Sequence, residues 1–112
     1  MISKFLADAY YVNYSLHMIE VRQTEHFRDW LDALKDRRAQ TRIAQRIVRL
    51  QSGLLGDVKF FDGIGELRVD HGPGYRVYFV RRGNTLIILL CGGDKSTQSK
   101  DIRTAIDMAK DV

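Results

Sequence analysis

Residues 65–93 read GELRVDHGPGYRVYFVRRGNTLIILLCGG, and the period of this stretch decides the fold. Leu67 and Val69 alternate with Glu66, Arg68 and Asp70, while Tyr75, Val77 and Phe79 alternate with Arg76, Tyr78 and Val80. This is the two-residue repeat of strands with one buried face. His71-Gly72-Pro73-Gly74 is a turn by composition, and Gly83-Asn84 signals a two-residue hairpin. The run Leu86–Cys91 is apolar at every position, which predicts the central strand, covered on both faces. Upstream, Val58 and Phe60 open a further strand of the same meander.

Working outward, the period becomes helical on both sides. Thr24 is placed to cap a helix in which Phe27, Trp30, Leu31 and Leu34 form one stripe. After a break at Asp36-Arg37-Arg38, Ile43, Ile47, Val48 and Leu50 define a second apolar stripe, with Arg38, Arg42, Arg46 and Arg49 on another face. Gly53 and Gly56 end the helical part. Before it, Ile19 and Val21 alternate as in a short strand. After Gly92-Gly93, a polar segment from Asp94 to Gln98 precedes a last helix, capped by Ser99, with Ile102, Ala105, Ile106 and Ala109 as its apolar stripe. The expected fold class is α+β: a mixed, mainly antiparallel sheet of four or five strands, an N-terminal helical hairpin on one face, and a short C-terminal helix.

The chain has 112 residues, enough for one domain, and its 45% hydrophobic and 29% charged content with a single Pro excludes disordered and collagen-like classes. Cys91 is the sole cysteine, so no disulfide within the chain is possible, and nothing has the spacing of a zinc site. We expect no metal and no cofactor. The net charge is +4, which suits an anionic partner, and residues 18–50 hold eight basic side chains against five acidic ones. Residues 1–17 are rich in aromatics and poor in charge, and read as an extension preceding a domain over 18–112. No stretch has the roughly 20 apolar residues of a membrane span, and the first residues do not form a secretory signal, so a cytoplasmic location is expected.

On this strand assignment Glu66, Arg68, Arg76 and Tyr78 leave neighbouring strands on the same side, with Lys95 at the rim. Guanidinium forks bind phosphate oxygens in pairs, and fixed positive charge stabilises a pentavalent phosphorane-like transition state. Tyr78 is a candidate for stacking on an unpaired base. The same alternation equally describes a solvated face whose arginines pair with Glu66 and Asp70. Glu66 and His71 have the chemistry of a general base, although His71 beside Gly72-Pro73 reads first as a solvated turn residue. Arg38, Arg42, Arg46 and Arg49 suit RNA phosphates, a protein partner, or plain solvent. Phe27 and Trp30 read as core anchors, and Cys91 as an inert buried thiol.

The ordered set Glu66-Leu67-Arg68, Gly74-Tyr75-Arg76-Val77-Tyr78 and Leu90-Cys91-Gly92-Gly93-Asp94-Lys95-Ser96, with the upstream MIEVRQTEHFRDWLDALKDRRAQTRIAQRI, resembles the RelE/ParE toxin superfamily. Within it the chain is most similar to the phage-derived Gp49-like, HigB-type addiction module killer group. The likeness covers Met18 to the C-terminus. It implies a RelE-like fold and the toxin of a two-gene toxin–antitoxin module, held inactive by a small helix-turn-helix antitoxin. It also implies metal-independent cleavage of messenger RNA on the ribosome. Arg76 would neutralise the scissile phosphate, Lys95 would be a second phosphate ligand, and Arg68 would match the family's strand arginine. The last helix departs from the family, with Asp101, Ile102 and Arg103 where a Tyr or His is common, so no base is assigned. ParE-like relatives inhibit gyrase without a nuclease site, and a non-toxic corepressor is a third reading.

Overall fold

Alternation around Leu67 and Val77 builds the sheet, and the loops between its strands set the register. The computed structural model describes residues 18–112; the expected extension over 1–17 lies outside the described residues. The elements are β1 (Glu20–Gln23), α1 (Glu25–Ala33), α2 (Arg37–Gln51), β2 (Val58–Phe61), β3 (Ile64–Val69), β4 (Tyr75–Arg82), β5 (Leu86–Asp94), a 3-10 turn (Lys95–Thr97) and α3 (Gln98–Ala109). The sheet order is β1-β5-β4-β3-β2; β1 runs parallel to β5 and the other neighbours are antiparallel. No helix among the described residues is long and apolar enough to cross a membrane.

Local chemistry explains the boundaries. The Thr24 hydroxyl accepts from the Phe27 amide at 3.0 Å, the expected cap of α1. Asp36 caps α2 by accepting from the Arg38 and Ala39 amides. β2 and β3 are joined by Asp62-Gly63, both at positive φ (51° and 81°), the requirement of a tight primed turn. The β4–β5 connection is three residues, Gly83-Asn84-Thr85, because Arg82 pairs with Leu86; the expected two-residue hairpin is corrected by one position. Ser99 does not cap α3. Asp94 caps the preceding 3-10 turn through the Ser96 amide, and α3 begins at Gln98.

Two cores flank the sheet. Leu67, Val69, Val77, Phe79, Ile87 and Leu89 face α1 and α2, packing with Phe27, Ala39, Ile43, Ile47 and Leu50. α1 rests on β5, and α2 on β1 and β3. Phe27 is fully buried and Trp30 packs between it and Tyr75. Val48 is 60% exposed: the stripe 39-43-47-50 leaves it about 100° off the buried line, so it is not a core residue.

The opposite face is not the open polar surface that strand alternation predicts. Opposite Tyr78 and Phe79, the β5 partners are Cys91 and Leu89, so Leu90 is an extra residue in the ladder. That bulge turns both Leu90 and Cys91 to the side of α3, where they join Ile64, Tyr78, Val80 and Ala105 in a second core. Ile102, Ile106 and Ala109 of α3 pack on it, as the expected apolar stripe requires. β5 continues through two glycines beyond the apolar run. A Cβ on Gly92 would enter the Trp30 ring, and one on Gly93 would enter the Asp101 carboxylate. These glycines let α1 and the start of α3 close on the two faces of one strand end.

Candidate functional site

What α3 leaves uncovered is the β3–β4 end of the sheet. There Arg68 and Arg76 are direct cross-strand partners, and Glu66 is opposite Tyr78. Like charges placed opposite each other repel, and the compensating charge is Glu66, only 2% exposed. Arg68 Nε lies 3.4 Å from Glu66 Oε1, and Arg76 Nε lies 3.8 Å from Oε2. Oε2 also accepts hydrogen bonds from the Tyr78 hydroxyl at 3.1 Å and the Gln98 amide at 2.9 Å. Both arginine Nε atoms are buried without a hydrogen bond, and Arg76 Nη1 donates to the Gly74 carbonyl at 3.1 Å. Burial, the Glu66 charge and the hydrogen bond to it push the Tyr78 hydroxyl well above the usual phenol range, so it stays a donor.

The arginine pair borders two clefts. One, of about 260 Å³, is lined by Arg68, Arg76, Lys95, Gly74, Asp57 and Asp70 among others. Gly74 is at φ 81°, and a Cβ there would lie 3.4 Å from Arg76 Nη1 and 3.8 Å from the Lys95 Cβ. The other cleft, of about 430 Å³, lies toward α3 and is lined by Lys59, Phe61, Glu66, Arg68, Arg76, Gln98 and Ile102. Asp57 is 3.9 Å from Arg68 Nε but more than half exposed, a loose partner.

The structure therefore brings together Glu66, Arg68, Arg76 and Tyr78, and sets Lys95 at the same rim. Tyr78 is not a stacking residue: its ring is fully buried against α3 and offers no face to a base. His71 lines neither cleft. Its Nε2 is 3.0 Å from Asp36 Oδ2, tying the β3–β4 turn to the start of α2. That bond, followed by the Ala39 amide, holds the Asp36 carboxyl below the usual carboxylate range. Arg46 leaves the basic stripe, because its Nη groups donate to the carbonyls of Arg68 (2.5 Å) and Leu55 (3.1 Å). Arg38 and Arg42 remain exposed beside a depression of about 560 Å³ formed by α2 alone, and Arg49 lines its continuation toward Asp70. Cys91 is buried and its thiol is pushed up to about 12 by burial, which makes it inert.

Sequence reasoning missed Lys59, Phe61, Gln98 and Ile102. Lys59 had a usable signal, since the Asp62-Gly63 turn places it directly opposite Glu66. Gln98 had none: nothing local in the sequence says that α3 folds back over β3.

The comparisons with known proteins agree in kind. A protein of Haemophilus influenzae, itself uncharacterized, is 52% identical over 95 residues, covering 84% of this chain and 96% of the relative. Residues 29–112, which hold α2, four of the five strands, both clefts and α3, match the family described as phage derived protein Gp49-like (DUF891). The chain thus belongs to the Gp49-like family of phage-derived proteins, a toxin-like family of the RelE/HigB-type group.

Proposed function

We propose that the chain is the toxin of a two-component toxin–antitoxin module and that it cuts messenger RNA on the ribosome. The observation that carries this reading is the Arg68–Arg76 pair, held against a buried carboxylate with Lys95 at the rim of the same cleft. A phosphodiester placed there gains two guanidinium groups and an ammonium around its non-bridging oxygens. The reaction that uses such a site without a metal is internal transesterification. The ribose 2′-hydroxyl attacks the adjacent phosphorus, the bond to the 5′-oxygen breaks, and a 2′,3′-cyclic phosphate and a 5′-hydroxyl end result. Arg76 and Lys95 stabilise the extra negative charge of the pentavalent state, with Arg68 beside them.

Glu66 is an anchor in this scheme and not the proton acceptor, since its oxygens face Arg68, Arg76, Tyr78 and Gln98. Arg38, Arg42 and Arg49 supply a separate basic surface for ribosomal RNA phosphates. The natural partner that silences such a toxin is a small helix-turn-helix antitoxin.

The test is a short, controlled pulse of expression in a bacterial host with transcriptome-wide mapping of new RNA 5′ ends. Breaks concentrated inside translated messages are expected. Arg76→Ala or Lys95→Ala should each reduce them about 10²–10³-fold, the usual effect of removing one charge-stabilising donor. Wild-type cleavage by the double variant would overturn the site. Growth arrest without breaks would replace the nuclease reading by a gyrase-directed one, and absence of arrest would favour a corepressor.

A further inference from the structure

Among the polar atoms of the larger cleft that the Glu66 cluster does not use is the Gln98 side-chain carbonyl. The Gln98 amide nitrogen donates to Glu66 Oε2, which leaves the carbonyl oxygen of the amide turned away from that carboxylate. Among the described residues that carbonyl, Oε1, has no hydrogen-bond partner, and the side chain lines the cleft. Two apolar walls accompany it. Phe61, half-buried at the end of β2, supplies a ring, and Ile102, four residues after Gln98 on the same side of α3, supplies an aliphatic surface. The remaining lining includes Arg68 and Arg76, so the cleft is continuous with the arginine pair. Its volume of about 430 Å³ lies within the usual size of small-ligand sites.

An aromatic ring, one oriented acceptor and a pair of guanidinium groups at one edge match a nucleotide, with the base against the ring and the phosphate on the arginines. We infer that this cleft holds the base of the nucleotide whose phosphate sits on Arg68 and Arg76, and that Gln98 Oε1 selects adenine and cytosine over guanine and uracil. This rests on the reading of the arginine pair as a phosphate site. Adenine and cytosine present an amino donor at the position where guanine and uracil present a carbonyl. Against Gln98 Oε1 the donor closes a hydrogen bond, whereas a carbonyl leaves two acceptors facing each other, desolvated and unpaired. Lys59, whose ammonium lies over the Phe61 ring at 5.9 Å from its centroid, adds a cation to the same lining.

The experiment is a titration of the purified chain with the four nucleoside 3′-monophosphates and with inorganic phosphate, followed by NMR shifts of cleft residues. The adenine and cytosine nucleotides should bind about fivefold more tightly than the other two, the effect of one net hydrogen bond. Gln98→Met should remove that difference. Because it also removes a donor from Glu66, Phe61→Leu serves as the second variant: it leaves Glu66 untouched and should weaken all four nucleotides while phosphate binding is retained. Equal affinities in the wild type, discrimination that survives Gln98→Met, nucleotide binding unaffected by Phe61→Leu, or no binding at millimolar concentration would each overturn the inference. Base discrimination without RNA breaks in cells would remove the nuclease reading and keep the pocket. RNA breaks without discrimination in the titration would do the reverse.

Discussion

Replacing Glu66 by Gln removes the negative charge that two facing arginines share. The Glu66 side chain is 3% exposed and that of Arg76 is 13% exposed, so this pair is poorly screened. At 3.8 Å the gross attraction is about 4 kcal/mol for an effective dielectric constant of about 20. Arg68 is closer, at 3.4 Å, but its side chain is 39% exposed, so it adds about 1 kcal/mol or less. Desolvation offsets much of this, yet removing one member of a buried pair still costs about 3–5 kcal/mol, because the other charge stays buried. Gln retains an acceptor for Tyr78 or Gln98, which brings the expected loss to about 2–3 kcal/mol.

For a domain of this size that is a fall in Tm of about 10–20 °C. The assay is urea unfolding of Glu66→Gln, Arg76→Met and the double variant. The double variant should be less destabilised than the sum of the singles, with a coupling of about 1–3 kcal/mol, since it removes both charges together. A Glu66→Gln variant within about 0.5 kcal/mol of wild type, or strict additivity, would refute the account of Glu66 as the anchor of the pair.

Arg46 and Arg42 share a helix face in sequence but not in structure. Arg46→Met, which strands the Arg68 and Leu55 carbonyls, should cost about 1–3 kcal/mol in urea unfolding, and Arg42→Met should stay within about 0.5 kcal/mol; equal losses would contradict the division. Gly92→Ala drives a Cβ into Trp30, held between Phe27 and Tyr75. An overpacking cost of about 1–3 kcal/mol and a shifted Trp30 emission are expected, and a silent substitution would show that β5 and α1 are not in that contact. At alkaline pH the folded chain keeps protons that the unfolded chain releases, because the Cys91 thiol is raised from 9.0 to about 12 and Tyr78 is raised from 10.0. Stability is then fully present below about pH 9 and falls as pH rises toward 12. Urea midpoints across that range check the sign, and thiol labelling at pH 8 should be blocked until the chain unfolds; labelling at the unfolded rate would refute the burial of Cys91.

The strands were legible because their side chains obey one local rule each. Leu67–Val69 and Val77–Phe79 face α1 and α2 as alternation demands, and the all-apolar run of β5 is covered by α1 on one side and α3 on the other. The errors come from places where a neighbour in space overrides the period. Val48 fits an apolar stripe by type, but only the 39-43-47-50 line reaches the sheet. The extra residue at Leu90 cannot be seen in a run where every position is apolar, and it decides which side chains α3 covers. Tyr78 was placed on the correct side of the sheet and given the wrong exposure, since strand parity fixes direction and says nothing of a helix returning some twenty residues later. Parity puts Arg76, Arg68 and Glu66 on one face of the sheet, and the family resemblance gives the two arginines their roles, whereas Gln98 owes its place to tertiary packing.

That same packing bears on the two readings that alternation left open. A solvated charged face lets its arginines extend into water and pair with exposed acids at little cost or gain. Here α3 and the second core close the face around a carboxylate that is 2% exposed, and two arginines opposite each other keep buried Nε atoms without hydrogen bonds. For stability alone, apolar residues of similar volume at Glu66 and Arg76 would do as well or better. Under the proposed function the arrangement gains its sense from a third charge: an anion between Arg68, Arg76 and Lys95 would relieve the repulsion between the arginines, whose guanidinium groups are already oriented for it. The burial that makes Tyr78 useless for stacking makes it, with Gln98, the support that holds Glu66 in place. On the proposed reading the chemistry falls to the residues that still line the two clefts, Arg68 and Arg76, with Lys95 at the rim of one of them.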